Sequence, residues 1–431
     1  MIELAPQIVD IASHNYDGVG TAKLNDKQVI IPGVLVGERI KLKVIKRSTH
    51  KILAEIDEIL VSSLQRQSPP CDHYSICGGC QLQHMSYGYQ LELKQKIAID
   101  TLQSIAGFQP DKWLDPVSSN SHHYRRKARL SVKYVEKKGT VVVGFREEKS
   151  HFVTQTKSCL VLEKPMDILP SKLSMLFNKL SIKNKITAVE LAKGDNNIGA
   201  VIRVLEMPTE KERELMRHGF ENLGIQASLL LNTKEIVPLS VSQQDLRYKV
   251  GDINISFLPQ DFIQVNAYVN QSLITSIINY VNYYDSKRVL DLFCGLGNIT
   301  LPLAKYVETA VGVDVDFGLI SRAKANAKNN LISNVDFKVA NLFKGMYPIF
   351  DSNWDTLIID PPRSGAENVI SQIHKMNAKV IIYVSCNPGT FARDAKIICH
   401  DHGYRLIESK ITDMFPMTHH IEIISLFIKK Q

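Results

Sequence analysis

Apolar and polar positions change their period three times along the chain. Up to residue 62 the apolar runs are short: Val29-Ile30-Ile31, Val34-Leu35-Val36, the alternating Ile40–Ile45 and Lys51–Ile56, punctuated by Gly18, Gly20, Gly33 and Gly37. Short alternating runs with glycine turns predict a small all-β barrel. From Gln90 to Phe108 the period lengthens, and Leu91, Leu93, Ile97, Ile99, Leu102 and Ile105 form the broad apolar face of a helix, ended by Pro110 and Pro116. That helix is expected to pack on the C-terminal unit. Residues 130–250 mix strand-like pieces (Val141–Phe145, Ala200–Val204, Ser228–Leu231) with helix-like ones, an α+β pattern. Beyond about 255, apolar strands alternate with helices in the manner of a doubly wound α/β sheet. The strands predicted are Arg288–Leu292, Thr309–Val313, Val335–Val339, Thr356–Ile359, Ile381–Val384 and Ile423–Ile428, with helices ending at Tyr280 and over Ile299–Tyr306. Three domains are therefore expected: 1–62, 63–255 and 256–431.

Open α/β sheets bind ligands outside the carboxyl ends of their strands, so the strand ends come next. The first runs into Asp291-Leu292-Phe293-Cys294-Gly295-Leu296-Gly297-Asn298, a glycine loop without the G-x-G-x-x-G spacing that seats a pyrophosphate. It suits S-adenosylmethionine better than NAD. The second ends on Asp314, placed to pair with ribose hydroxyls, and the third leads to Asn341, placed to meet an adenine. The fourth enters Asp360-Pro361-Pro362-Arg363-Ser364-Gly365, a rigid turn at a substrate mouth. The fifth delivers Ser385-Cys386-Asn387-Pro388. A lone cysteine is commonly a small packed hydrophobe; at this strand end Cys386 is a candidate nucleophile. Amino-group methyltransferases use a similar Asp-Pro-Pro turn but continue it with an aromatic, where this chain has Arg363.

Seven cysteines, an odd number, and no signal-like N-terminus argue against a secreted disulfide framework and for a reduced, cytoplasmic setting. No stretch is long and apolar enough to span a membrane. Cys71, Cys77 and Cys80 cluster around Gly78-Gly79, with Cys159 free as a fourth soft ligand; four thiolates suit zinc or an iron–sulfur cluster, the three-plus-one spacing leaning toward [4Fe–4S]. The net charge of +8 favours a polyanionic partner. The basic positions gather in Arg125, Arg126, Lys127 and Arg129 beside Tyr124, and on the N-terminal strands at Lys41 and Lys43, where phosphate pairing with base stacking would use these residue types.

The motifs DLFCGLGN, DPPRSGA, YVSCNP and FPMTHHIE occur in this order, and on them the chain resembles the RNA 5-methyluridine methyltransferases. With the N-terminal barrel, which is similar to a TRAM RNA-binding domain, and the four cysteines, it looks like the iron–sulfur branch that acts on 23S ribosomal RNA at a uridine-1939-type position. The resemblance implies a Rossmann-like S-adenosylmethionine methyltransferase domain with the cofactor met by Gln264, Phe293, Asn298, Asp314, Asn341 and Asp360. It also implies Cys386 as nucleophile, Glu422 as base, and Cys71, Cys77, Cys80 and Cys159 on a [4Fe–4S] cluster in a monomer. Two departures stand out: Asp314 is shorter than the glutamate common at its place, and Met417 stands where relatives often carry His. The rivals are the same chemistry on another uridine of 23S or transfer RNA, an amino-group methyltransferase, and a non-catalytic iron–sulfur RNA-binding protein.

Overall fold

The computed structural model describes residues 7–148, 150–233, 235–241, 244–344 and 353–430. At the N-terminus β1 (Gln7–Asp10), β2 (Ser13–His14), β3 (Gly20–Leu24), β4 (Lys27–Ile31), β5 (Arg39–Arg47) and β6 (Lys51–Val61) form one sheet in the order β1-β5-β6-β4-β3-β2. The sheet rolls around Val29, Ile31, Ile40 and Ala54. Its long strands alternate, sending Ile40 and Leu42 inward while Arg39 and Lys43 stay in solvent.

The middle of the chain contributes α1 (Tyr87–Ala106), β7 (Lys112–Trp113), β8 (Lys127–Val135), β9 (Thr140–Gly144), α2 (Leu169–Phe177), β10 (Ile186–Lys193), β11 (Ile198–Val204), α3 (Glu210–Asn222), β12 (Ile225–Leu230) and β13 (Ile236–Pro238). Six of these strands make a mixed sheet, β13-β12-β11-β10-β8-β9. Helix α3, opened by the capping box of Thr209 and Glu212, makes the crossover between parallel β11 and β12. Hairpin β14 (Leu246–Val250) and β15 (Ile253–Phe257) follows, and buries Tyr248, Ile255 and Phe257 in the core of the C-terminal unit.

That unit holds α4 (Ala267–Tyr283), β16 (Arg288–Leu292), α5 (Thr300–Leu303), β17 (Thr309–Asp314), α6 (Phe317–Asn329), β18 (Val335–Val339), β19 (Thr356–Ile359), α7 (Glu367–Ile370), β20 (Val380–Ser385), α8 (Pro388–His400), β21 (Tyr404–Ile411) and β22 (Ile423–Lys429). Its eight-stranded sheet runs β18-β17-β16-β19-β20-β22-β21-β7. The five strands from β18 to β20 are parallel, and β22 enters antiparallel between β20 and β21. Alternate residues of β20 serve opposite layers: Ile381 and Tyr383 pack with α1 and α8, Ile382 and Val384 with α4 and α6.

Helix α1 does pack on the C-terminal sheet as expected, burying Leu93, Ile97 and Leu102 against α8, each worth about 1.5–3 kcal/mol of apolar burial. The chain after it then adds β7 to the edge of that sheet beside β21. The helix expected over 299–306 contracts to the single turn of α5. The Asn334 side-chain amide takes the Ala304 and Val307 carbonyls at 2.8 and 3.0 Å, satisfying there the acceptors that further helix would have used.

Candidate functional site

The carboxyl ends of β16, β17, β18, β19 and β20 converge on one side of the sheet. At the end of β16 the chain turns so tightly that Phe293 takes a left-handed φ of 69°, a conformation that costs a non-glycine residue about 1–2 kcal/mol. The turn is held because both Phe293 and Cys294 N–H groups donate to the Val313 carbonyl, at 2.8 and 3.1 Å. Gly297, at φ 81°, has no room for a side chain: a Cβ would lie 2.9 Å from the Phe337 ring. At Gly295 a Cβ would meet open space. The Gly295 N–H donates to one Asp314 carboxylate oxygen and the Asp316 N–H to the other, both at 3.0 Å. This open cradle with a fixed acid at its rim fits a ribose diol. The Phe293 ring lies 5.6 Å from the Phe343 ring at its edge, and the Asn341 side chain turns the following segment by accepting from the Phe343 N–H at 3.1 Å.

Deeper in, Asn298 exchanges two side-chain hydrogen bonds with Asn270, at 2.9 and 3.0 Å, and accepts a third from the Tyr248 hydroxyl. Asn270 and Tyr248 carried no signal in the sequence beyond being polar positions on otherwise apolar faces. Asp360 lies at the end of β19, where burial pushes its carboxyl up to about 7. Gln264 sits in the segment leading to α4, half-buried. Beneath the loop Asp291 is buried, pushed up to about 7, with one oxygen taking the Thr300 hydroxyl at 2.5 Å.

Cys386 and Glu422 are brought together by strand order. Antiparallel β20 and β22 end their ladder at Ser385 opposite Ile423, so one step further Cys386 faces Glu422 across the opening of the sheet. Residues so opposed stand about 4.5–5.5 Å apart at Cα. Glu422 is only 6% exposed. Burial, with Asp360 and Asp413 nearby, pushes its carboxyl up to about 8. Burial also pushes the Cys386 thiol up; Glu422 and Asp360 add to the rise, and Arg363 pulls the other way. The positive potential of Arg363 is therefore present but outweighed. Cys386 directly precedes Asn387, whose side chain caps α8 by accepting from the Gly389 and Thr390 N–H groups. The thiol thus stands at a helix N-terminus, where an anion is favoured.

The same cap ties down the neighbouring turn: the Asn387 amide and the Thr390 hydroxyl donate to the Arg363 carbonyl at 3.1 and 3.2 Å. Buried Asp394 holds the turn's far end through the Ala366 N–H at 2.7 Å. The Arg363 guanidinium donates to His420 Nδ1 at 2.8 Å. Arg363, Cys386, His419 and His420 line one cleft, whose opposite wall includes Tyr16 and Asp17 of the N-terminal unit and Thr101 and Ile105 of α1.

Cys71, Cys77, Cys80 and Cys159, all free thiols, line a single cavity walled by Tyr74, Phe145 and Val161. Burial pushes Cys80 up to about 12 and Cys159 up to about 11, and the neighbouring thiols add to both rises. Ionising such a set calls for a compensating cation, the chemistry of a metal-ligand set. Among the described residues no group of three or more His, Cys, Asp or Glu side chains is drawn close enough to hold one metal ion.

The basic cluster divides. Arg126 is 8% exposed and bonds internally, to Glu163 at 3.5 Å and Asp195 at 3.2 Å. That corrects its expected place on a nucleic-acid surface, because the odd positions of β8 face solvent and the start of the strand is tucked against the β10–β11 layer. The Lys127 ammonium donates to the Asp261 carbonyl. Arg125 lies over the Phe145 and Phe415 rings, 5.9 and 5.8 Å from their centroids. Arg129 reaches Glu190 at 3.6 Å yet stays largely exposed. Lys41 pairs with Asp57 at 2.8 Å, and Lys43 is exposed.

The tRNA (uracil-5-)-methyltransferase family model matches residues 86–431, which hold this glycine loop, Cys386 and Glu422. The chain belongs to this family. Among its relatives, the 23S rRNA (uracil(1939)-C(5))-methyltransferase RlmD of Francisella tularensis subsp. holarctica is 37% identical, over 97% of this chain and 96% of its own. The enzyme of the same name from Legionella pneumophila is 37% identical over 99% of this chain and 98% of its own. Among solved structures, the tRNA (uracil-54, C5)-methyltransferase of Pyrococcus abyssi in complex with S-adenosyl-L-homocysteine superposes with a TM-score of 0.77 at 25% identity, over 98% of this chain and 99% of its own. The C-terminal unit is accordingly a Rossmann-like, S-adenosylmethionine-dependent methyltransferase domain. Among the described residues no helix is long and apolar enough to cross a membrane.

Proposed function

We propose that this protein methylates C5 of a uracil in 23S ribosomal RNA, at a uridine-1939-type position, through a covalent intermediate on Cys386. The observation that carries this reading is the pairing of Ser385 with Ile423 at the ends of β20 and β22, which leaves Cys386 near enough to Glu422 for the carboxylate to raise the thiol. C5 of uracil is too weak a nucleophile to take a methyl unaided. The Cys386 thiolate adds to C6, forming the S–C6 bond and pushing the C5=C6 pair onto C5 as an enolate. Bound S-adenosylmethionine supplies a methyl on a positively charged sulfur; C5 takes that methyl and the sulfur leaves as a neutral thioether. Glu422 then accepts the C5 proton, the pair re-forms C5=C6, and the S–C6 bond breaks to regenerate the thiolate. A carboxyl near 8 is matched to that task near neutrality.

Gln264, Phe293, Asn298, Asp314, Asn341 and Asp360 hold the cofactor in this reading. The N-terminal sheet serves as a TRAM RNA-binding domain, supported by exposed Lys43 and by Tyr16 and Asp17 reaching the cleft of Cys386. The four cysteines hold a [4Fe–4S] cluster, supported by their common cavity. Methyl transfer consumes no electrons, so the cluster's part is structural or in RNA binding rather than redox. In this reading the protein works as a monomer in the cytoplasm.

The test incubates the protein with an rRNA fragment carrying 5-fluorouridine, which has no C5 proton to lose, plus S-adenosylmethionine. A denaturation-resistant protein–RNA adduct is expected with the wild type and none with Cys386→Ala. An undiminished adduct with that variant refutes the covalent route. Iron content and broad visible absorption after anaerobic purification test the cluster, and colourless protein carrying zinc refutes it.

A further inference from the structure

The loop from Met414 to Ile421, which leads into Glu422, has no regular structure, yet three successive carbonyls in it, those of Phe415, Pro416 and Met417, each accept a hydrogen bond from elsewhere in the chain. Phe415 O accepts from the Lys94 ammonium at 3.1 Å and the Thr418 hydroxyl at 2.9 Å. Pro416 O accepts from the Tyr124 hydroxyl at 2.9 Å. Met417 O accepts from the Gln81 and Leu82 N–H groups at 2.9 and 3.0 Å. Gln90 grips Met417 twice more, accepting from its N–H at 3.0 Å and donating to its sulfur at 3.2 Å. Met417 itself is held at φ 67°, so these partners fix a backbone that would otherwise relax.

Lys94 is the unexpected member. It is 1% exposed on the inner face of α1, next to Leu93 and one turn from Ile97 and Ala98. Its ammonium lies 2.6 Å from the carboxylate of Asp413, itself 1% exposed, whose other oxygen accepts from the Tyr87 hydroxyl at 2.9 Å. A buried ion pair is weak evidence of stabilisation, since an apolar pair of similar volume often serves as well. What an apolar pair does not replace is direction. The ammonium joins the Asp413 side chain to the Phe415 carbonyl, and the Thr412 N–H next to it donates to the Glu422 carbonyl at 2.8 Å. Lys94 therefore ties the start of the loop to a helix that the cleft of Cys386 also shares, and the Thr412–Glu422 backbone bond fastens the loop's far end to that same point.

We propose that Lys94 and Asp413 are positioning residues for the proton-removal half of the reaction. They hold the loop so that the Glu422 carboxylate meets C5 of the Cys386-bound uracil. Their removal leaves thiol addition intact and slows loss of the C5 proton with cleavage of S–C6. This rests on the covalent uracil reading given above.

The experiment compares wild type, Lys94→Met and the doubly neutral Lys94→Met/Asp413→Asn. The double variant leaves no unpaired buried charge and keeps a partner for Tyr87, so it guards against a simple folding failure; thermal melts confirm that each protein is folded. With ordinary uridine rRNA fragment and S-adenosylmethionine, both folded variants are expected to accumulate a methylated covalent adduct. Release should be slowed roughly 10–100-fold, the effect of misplacing a catalytic group by about 1 Å. Adduct formation with 5-fluorouridine RNA should stay within about twofold of wild type, because only addition and methylation are read there. If release and adduct formation fall in parallel, or the double variant releases product at the wild-type rate, the positioning role is overturned and the uracil chemistry stands. If wild type itself gives no 5-fluorouridine adduct, the uracil reading falls and the proposal with it.

Discussion

Replacing Glu422 by Gln removes an ionisable group that the fold holds far from its ordinary value. The Glu422 carboxyl rises from 4.5 to about 8, chiefly through burial. Ionising it in the native state then costs about 5 kcal/mol relative to the unfolded chain, an upper limit because part of the rise comes from the neighbouring Asp360 and Asp413 carboxylates. Between pH 4.5 and 8 the native protein binds this proton and the unfolded chain does not, so rising pH lowers stability until about 8, beyond which the loss is complete. Gln carries no proton to lose. Urea unfolding of wild type and Glu422→Gln from pH 5 to 9 should therefore give a stability difference that grows in favour of the variant up to about pH 8 and levels off. The variant should also trap the methylated adduct on ordinary uridine RNA. Parallel stability curves across that range would refute the assignment of a protonated, buried Glu422, whatever the activity did.

Three further outcomes follow from the same geometry. Arg363→Met removes the one charge that pulls the Cys386 thiol down, so the pH at which adduct formation is half-maximal should move upward; an unchanged profile would mean that the helix N-terminus alone sets the thiol. Asp314→Asn leaves one acceptor for the Gly295 N–H but no anion for a ribose diol, and calorimetry should show S-adenosylmethionine binding weakened about tenfold, by one charge-assisted bond; equal affinity would displace Asp314 from the site. Bound S-adenosylmethionine brings a positive sulfur near Cys386 and should lower its pKa, whereas neutral S-adenosylhomocysteine should not. Iodoacetamide labelling of Cys386 at pH 7 should be faster with the first than with the second, and equal rates would contradict this.

Much of this site was legible in the chain because each strand end carries its chemistry within a few residues. Apolar runs ending on Asp314, Asp360 and Cys386 announce both the strand and what it delivers, and the strand predictions at Val335–Val339 and Thr356–Ile359 match to the residue. What periodicity does not encode is direction and neighbourhood. Ile423–Ile428 reads as a strand, yet nothing in it says that it runs antiparallel between β20 and β21. The basic run 125–129 misled for a related reason. Charge in sequence does not say which side of a strand a residue takes, and Arg126 went to the inside, where Glu163 and Asp195 meet it. Lys94 did leave a signal, a charge on the apolar face of a helix, but its partner lies 319 residues away.

The antiparallel insertion of β22 is the step from which the chemistry follows. In a wholly parallel sheet, strands deliver their C-terminal ends to the ligand side, and a base at a strand's N-terminal start would lie at the opposite edge. Reversing β22 puts its first residues, rather than its last, beside the end of β20. Glu422 can then precede its strand while Cys386 follows its own, each one residue beyond the last pair of the ladder, Ser385 and Ile423. The loop that must return the chain to that point, 412–422, crosses the mouth of the cleft, and helix α1, Tyr124 and the segment after Cys80 hold it there. The cysteine-lined cavity and the loop that leads to Glu422 are joined by two hydrogen bonds from Gln81 and Leu82 to the Met417 carbonyl and by the packing of Cys80 and Cys159 with Met414 and Phe415.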